Sequence, residues 1–174
     1  MIEYIVKVSK DGKREWYLNG KRHREDGPAI EYPNGKREWY LNGEHHREDG
    51  PAIEHSDGCK YWYLNGKLHR EDGPAVEYPS GCKYWCLNGK RHREDGPAIE
   101  HSDGSEEWFL NGKLHREDGP AVENANGDKY WFLNGKRHRE EEFNKKINSK
   151  TIVIDGKEIV ISLESYETLK TSLL

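Results

Sequence analysis

Residues 62–84 read WYLNGKLHREDGPAVEYPSGCKY, and at residue 85 another tryptophan restarts the same wording. All six tryptophans, Trp16, Trp39, Trp62, Trp85, Trp108 and Trp131, stand 23 residues apart, an unbroken period of the length that marks repeat architectures. Around each runs W-[YFC]-L-N-G-[KE]-x-H-R-E, and the first five copies continue as D-G-P-A-[IV]-E and a short turn ending in glycine. Of the eighteen glycines only Gly156 lies outside this scheme. Residues 47–92 match residues 93–138 at 37 of 46 positions, and His55 and His101 alternate with Tyr32 and Tyr78, so a two-repeat unit has been duplicated.

Each repeat carries two turn signals. Asn-Gly (19–20, 42–43, 65–66) and Asn-Gly or Asp-Gly (34–35, 57–58, 103–104) are pairs favoured in two-residue hairpin loops, where both positions tolerate positive φ. Between them, Arg14–Leu18 places Trp16 and Leu18 on one face of a strand, and Pro28–Tyr32 sets β-branched Ile30 between Ala29 and Glu31. That is one β-hairpin per repeat. Pro28, Pro51, Pro74, Pro97 and Pro120 cannot donate to a ladder and are expected at the first residue of a strand. A hairpin this polar cannot bury its tryptophan alone, whereas hairpins stacked in register align Trp on Trp and Leu on Leu into a narrow core. The expected fold is therefore an all-β repeat: an elongated antiparallel β-hairpin meander or solenoid of six 23-residue repeats, extending about 58 Å at ~4.8 Å per strand.

A thin core also accounts for the composition. The chain is 33% apolar and 34% charged, where ordinary domains run about 45–50% and about 25%. Leu, Ile, Val and Phe total 31 of 174 residues, but the net charge of −4 is too small for a disordered chain. Interspersed charges of both signs offer no basic field for nucleic acid and no polybasic run for a membrane surface. No apolar stretch reaches the length of a bilayer span, and the opening MIEYIVKVSK lacks a signal-peptide pattern, so a cytoplasmic protein is expected. Cys59 and Cys82 lie one period apart and Cys82 and Cys86 about 13 Å apart along a strand, too far to bridge, which predicts three free thiols. Equivalent histidines in adjacent repeats would be about 9.6 Å apart, too far to share one metal ion, and no cofactor is expected.

The phrase Trp-x-x-Asn-Gly-Lys-x-His followed by Glu-Tyr-Pro-Asn-Gly-Lys (31–36) resembles the MORN repeat, especially its shorter bacterial variant built on Y-x-N-G-K turns, over about residues 2–139. The inserted Arg-Glu-Asp and Gly-Pro-Ala depart from that motif. The resemblance implies a chain of antiparallel hairpins that serves as an interaction platform without chemistry of its own. The H-R-E-D-G-P-A wording also resembles repeats of phage and large-virus proteins. That likeness implies a counter-defence protein that inhibits a host enzyme or sequesters a small anionic or nucleotide ligand. The bacterial variant further implies an antitoxin-like neutraliser.

The array is expected to span residues 1–142, with 2–13 a half-repeat whose Lys7, Lys10 and Lys13 blunt the first sheet edge. Residues 143–150 read as a polar linker. Residues 151–174 read as a hairpin around Asp155-Gly156 and a helix with Ser162 as N-cap and a stripe of Leu163, Tyr166, Leu169 and Leu173. This ββα element is expected to cap the array, with homodimerisation through its helix as the alternative.

His-Arg-Glu-Asp recurs five times without the glycine-rich loop or Asp-Phe-Gly of a kinase. A tandem array repeats its groups in equivalent settings, so no catalytic constellation stands apart and no enzyme is expected. The tryptophan row is assigned to the core. Tyr17, Tyr40, Tyr63, Phe109 and Phe132 point the other way and form an exposed or half-exposed aromatic row. Arg24, Arg47, Arg70, Arg93 and Arg116 either pair with neighbouring carboxylates or recognise an acidic or phosphorylated partner. Together the aromatic and arginine rows are the candidate binding surface for another protein.

Overall fold

The computed structural model describes residues 3–154 and 157–172. In the second repeat the strands are Ile30–Glu31, Arg37–Glu38, Tyr40–Leu41 and Glu44–His45, and the set recurs with the period of the sequence. Ile30–Glu31, Arg37–Glu38 and their equivalents belong to one fourteen-stranded antiparallel meander. Its register places Glu38 opposite Ile30 on one side and Ile53 on the other. The chain leaves this sheet at the tryptophan, and Tyr40–Leu41 pairs with Glu44–His45 as a separate short hairpin. Trp39 joins the two: its N–H donates to the Ala52 carbonyl at 2.8 Å and its carbonyl accepts the His46 N–H at 3.1 Å. Successive short hairpins are linked as well, Gly66 N–H to His45 O at 2.9 Å and Arg47 N–H to Tyr63 O at 3.1 Å. Each repeat is thus stitched to the next twice, once through the sheet and once through the row of hairpins.

The Asn-Gly turns behave as their composition requires, with φ of 51° at Asn19 and 75° at Gly20, the doubly positive pair of a type I′ turn. The second turn differs from the two-residue loop expected. Only its glycine has positive φ (Gly35, 87°). Gly35 N–H bonds to Tyr32 O and Tyr32 N–H to Lys36 O, while the Asn34 side chain accepts the Lys36 N–H at 3.1 Å. A longer loop closed by a left-handed glycine results. The strand after each proline also starts two residues later than expected, at Ile30 and not Pro28, because the Pro28 carbonyl is turned toward the Arg24 side chain at 3.3 Å.

Burial is divided between the two faces of the sheet. Alternation puts Ile30, Glu38 and Tyr40 on one side and Glu31, Arg37, Trp39 and Leu41 on the other. On the first side Ile30 is 1% exposed, Ile99 2% and Tyr40 7%, and on the tryptophan side, one residue before each of these isoleucines or its equivalent, Ala29, Ala52, Ala75, Ala98 and Ala121 are 0% exposed. All six tryptophans are only half-buried. The accessible surface of 11575 Å² exceeds the roughly 8,800 Å² of a compact monomer of this mass, as an elongated array requires.

At the start, Ile5–Val8 pairs with Arg14–Leu18 and forms the first sheet edge. At the other end residues 143–150, expected as a linker, complete helix α1 (Glu140–Ile147), packed against strand Lys129–Leu133, and begin the strand Ser149–Ile154. Phe143, 1% exposed, closes the last repeat. Glu140, Glu141 and Glu142 in its first turn and Lys145 and Lys146 in its last complement the helix dipole, which is why so polar a stretch is helical. A hairpin of Ser149–Ile154 and Lys157–Ser162 follows, then helix α2 (Leu163–Ser172), whose Ser165 N–H is capped by Ser162 Oγ at 3.1 Å. The expected turn at Asp155-Gly156 and the last stripe residue, Leu173, lie outside the described residues.

Candidate binding grooves between repeats

The His-Arg-Glu-Asp-Gly-Pro segment links each short hairpin back to the sheet, and its arginine organises it. The guanidinium carbon of Arg47 lies 4.1 Å from the Trp39 ring centroid, and its counterparts Arg24, Arg70, Arg93 and Arg116 stand at 4.1–4.2 Å from Trp16, Trp62, Trp85 and Trp108. The other side of each guanidinium is covered by glycine. A Cβ on Gly50 would lie 2.8 Å from Arg47 Cζ, and one on Gly73 2.9 Å from Arg70 Cζ. These glycines are therefore needed for close approach and not for a left-handed turn. Within this sandwich Arg47 Nε donates to Asp49 Oδ1 at 2.9 Å and Nη1 donates to Pro51 O at 3.3 Å and Glu54 Oε1 at 3.1 Å. Arg70 and Arg116 repeat the pattern. The arginine bond holds the carboxyls of Asp26, Asp49, Asp72 and Asp118 below the usual carboxylate range.

The histidine beside each arginine is a staple. Nδ1 of His23, His46, His69, His92 and His115 accepts the backbone N–H of Asn42, Asn65, Asn88, Asn111 and Asn134, each in the next repeat, at 3.0–3.2 Å. The Asn65 side-chain oxygen also lies 2.9 Å from His46 Nδ1, and Nε2 of the same ring stands 3.6 Å from Glu48. Periodicity alone showed the histidines recurring; the 19-residue reach from His46 to Asn65 needed the fold.

Of the aromatic row expected at or near the surface, Tyr17, Tyr63, Phe109 and Phe132 are half-buried and Tyr40 is the exception. Tyr40 is buried, its hydroxyl donating to Glu38 Oε2 at 2.9 Å. Its ring lies 4.1 Å from His45, which lies 5.2 Å from Tyr63. Tyr17 carries Lys7 at 4.7 Å and Phe109 carries Arg91 at 5.4 Å, so cations and rings interleave along the array. Phe132 is half-buried, and Cys86, in the same slot, is buried. Burial pushes up the Glu38 carboxyl, but hydrogen bonds from His45, Lys36 and Tyr40 outweigh it and hold Glu38 well below the usual range. Burial and the Glu38 bond push the Tyr40 hydroxyl well above its ordinary value.

What remains open is the space between neighbouring Arg-Glu-Asp-Gly segments. One groove is lined by Arg24, Asp26, Gly27, Trp39, Leu41 and His46, and the same lining recurs at Trp62, Trp85 and Trp108. The four volumes run from 410 to 730 Å³. Each floor is a tryptophan and a leucine, and each rim carries an exposed Glu-Asp pair such as Glu71 and Asp72. The arginines thus line the grooves with their donors committed internally, and the aromatic surface in the grooves comes from the tryptophans.

Cys59, Cys82 and Cys86 are free. Among the described residues no group of three or more His, Cys, Asp or Glu side chains is arranged to hold a metal ion, and no helix is long and apolar enough to cross a membrane. Comparison of the sequence with protein-family models and with curated proteins finds no match.

Proposed function

We propose that this chain is a non-enzymatic interaction protein that binds another protein along the row of grooves between its repeats. The observation that carries this reading is the recurrence of one lining, Trp and Leu floor with Glu-Asp rim, at four successive positions. An apolar floor with a polar, wet rim is the usual composition of a protein-binding patch, and a row of equivalent patches gains avidity from a partner that spans several. The MORN-like wording of the repeats is in keeping with such a platform in the cytoplasm. The acidic rims disfavour sequestration of a small anion or nucleotide. Inhibition of a host defence enzyme and antitoxin-like neutralisation are special cases of this binding, distinguished by the partner.

The test reverses the rim while sparing the interior. Glu48, Glu71, Glu94 and Glu117 have side chains 79–85% exposed, so Glu→Lys at all four leaves the sandwiches in place. Cross-linked pull-downs from a lysate of the natural host, with wild-type and fourfold variant side by side, are expected to lose a specific protein partner with the variant. A partner captured equally by both chains refutes the groove reading.

A further inference from the structure

The chain itself fills the position that precedes the first groove. Tyr4 stands one period before Gly27, where later repeats present a glycine. Its phenol oxygen accepts the Glu25 N–H at 3.2 Å, and its ring lies 6.3 Å from that of His23. The cover shows in exposure. The His23 side chain is 8% exposed and that of Glu25 59%, against 12–14% for the four later histidines and 79–85% for the four later glutamates. In those later units the backbone N–H groups of Glu48, Glu71, Glu94 and Glu117 make no hydrogen bond to any described residue. Gly27, Gly50, Gly73 and Gly96 cannot supply a side chain of their own, because the neighbouring arginine packs where a Cβ would stand.

Resting on the reading that these grooves are the protein-binding face, we propose that each takes a tyrosine side chain from a basic, extended partner segment, seated as Tyr4 is. The ring lies against the histidine and the phenol oxygen accepts the glutamate N–H. The exposed Glu-Asp pair at every rim selects lysine or arginine beside the tyrosine. Spacing adds a further condition. Two strands per repeat set the grooves about 9.6 Å apart. A polyproline II helix, with three residues per turn and ~3.1 Å per residue, returns a side chain to the same face every ~9.3 Å. The partner segment therefore carries tyrosines three residues apart in a left-handed extended conformation.

The probe is a synthetic peptide of four Tyr-Pro-Lys units, titrated into the full-length ¹⁵N-labelled chain and followed by amide chemical shifts. The expected result is saturable movement of the Glu48, Glu71, Glu94 and Glu117 N–H signals. Affinity should fall at least tenfold when phenylalanine replaces tyrosine or when a fourth residue is inserted into each unit. Tyr4→Ala is expected to add the Glu25 N–H to the responding set. Equal binding of the tyrosine and phenylalanine peptides, or movement confined to other amides, overturns the proposal. Movement of these four signals with protein concentration alone assigns the grooves to a second copy and also overturns it. If the peptide fails while capture of the natural partner still depends on the rim glutamates, the tyrosine seat falls and the protein-binding reading stands. If capture is insensitive too, both fall.

Discussion

Replacing Gly73 by alanine puts one methyl group 2.9 Å from Arg70 Cζ and 3.1 Å from its Nε, with nothing else as its nearest neighbours. The backbone there lies outside the left-handed region, so alanine is compatible with the conformation and, without the arginine, would stabilise by about 0.4–1 kcal/mol through the unfolded chain. With the arginine present the guanidinium has to leave its slot. It then forfeits the stack on Trp62, 4.2 Å away, worth about 1 kcal/mol at a partly exposed site. It also loses the bonds to Pro74 O and Glu77 at 3.3 and 2.9 Å, together about 1–2 kcal/mol. The Asp72 pair, with its carboxylate 83% exposed, adds little. The net expectation is a loss of about 2 kcal/mol, read from urea unfolding by tryptophan fluorescence and circular dichroism at matched slopes. The decisive comparison is the double variant: in an Arg70→Ala background, Gly73→Ala should become neutral or mildly stabilising. Gly81→Ala is the control. Its φ of +95° with open space around it costs about 1–2 kcal/mol of left-handed strain, with or without Arg70. A neutral Gly73→Ala in the wild-type chain, or a cost unchanged by removal of Arg70, refutes the sandwich as the reason for that glycine.

Three further perturbations read other parts of the same framework. Glu38 has a depressed folded pKa against a reference of 4.5, so its stabilisation is fully present above that reference and is lost as pH falls through the folded value. Glu38→Gln should cost about 2 kcal/mol at pH 7 and flatten the acid side of a stability-against-pH curve, which an unchanged acid limb would contradict. Phe143→Ala should cost about 3 kcal/mol locally and, by hydrogen exchange, release protection in Lys129–Leu133 while leaving the second repeat protected; uniform loss would show that α1 does not act as a local cap. Glu106 faces Glu100 and Glu123 on the two neighbouring strands, where the second repeat places Arg37 between Glu31 and Glu54. Glu106→Lys should therefore raise the urea midpoint by the equivalent of about 0.5–1 kcal/mol, and a lowered midpoint would count against the ladder.

The architecture was legible because its signals are local and repeated. Asn19-Gly20 demands positive φ twice whatever surrounds it, and the interval from Trp62 to Trp85 demands that the solution recur. What was not legible is how burial divides between the two faces. Along Arg37–Leu41 the sequence alternates Glu38 and Tyr40 with Trp39 and Leu41, and hydrophobicity alone gives the inside to the tryptophan. In the second repeat the structure buries Glu38 and Tyr40 more deeply than Trp39, since a glutamate that receives bonds from His45, Lys36 and Tyr40 can be buried and an aromatic ring stacked under a guanidinium need not be. Lys36 and Tyr40 are same-face neighbours two residues away, but His45 is seven residues away and reaches Glu38 only after the short hairpin has folded back. Likewise residues 143–150 looked like a linker because Phe143 and Ile147 are their only apolar residues, too few to show a helical stripe.

The same reasoning separates repetition that serves the fold from repetition that serves a partner. Arg47 is repeated and has its donors occupied by Asp49, Pro51 and Glu54; its recurrence is explained by the stack on Trp39 and by Gly50, and asks for no ligand. His46 is repeated and holds Asn65. Once these are subtracted, Glu48, Glu71, Glu94 and Glu117 stand out among the recurring residues at the groove rims. Their carboxylates reach a histidine only at 3.6 Å, and they stand in water where a stabilising pair is worth little. Charge kept at an exposed position in every unit, above a groove with an apolar floor, is the feature that the proposed basic partner would use, and the Glu→Lys variants test it.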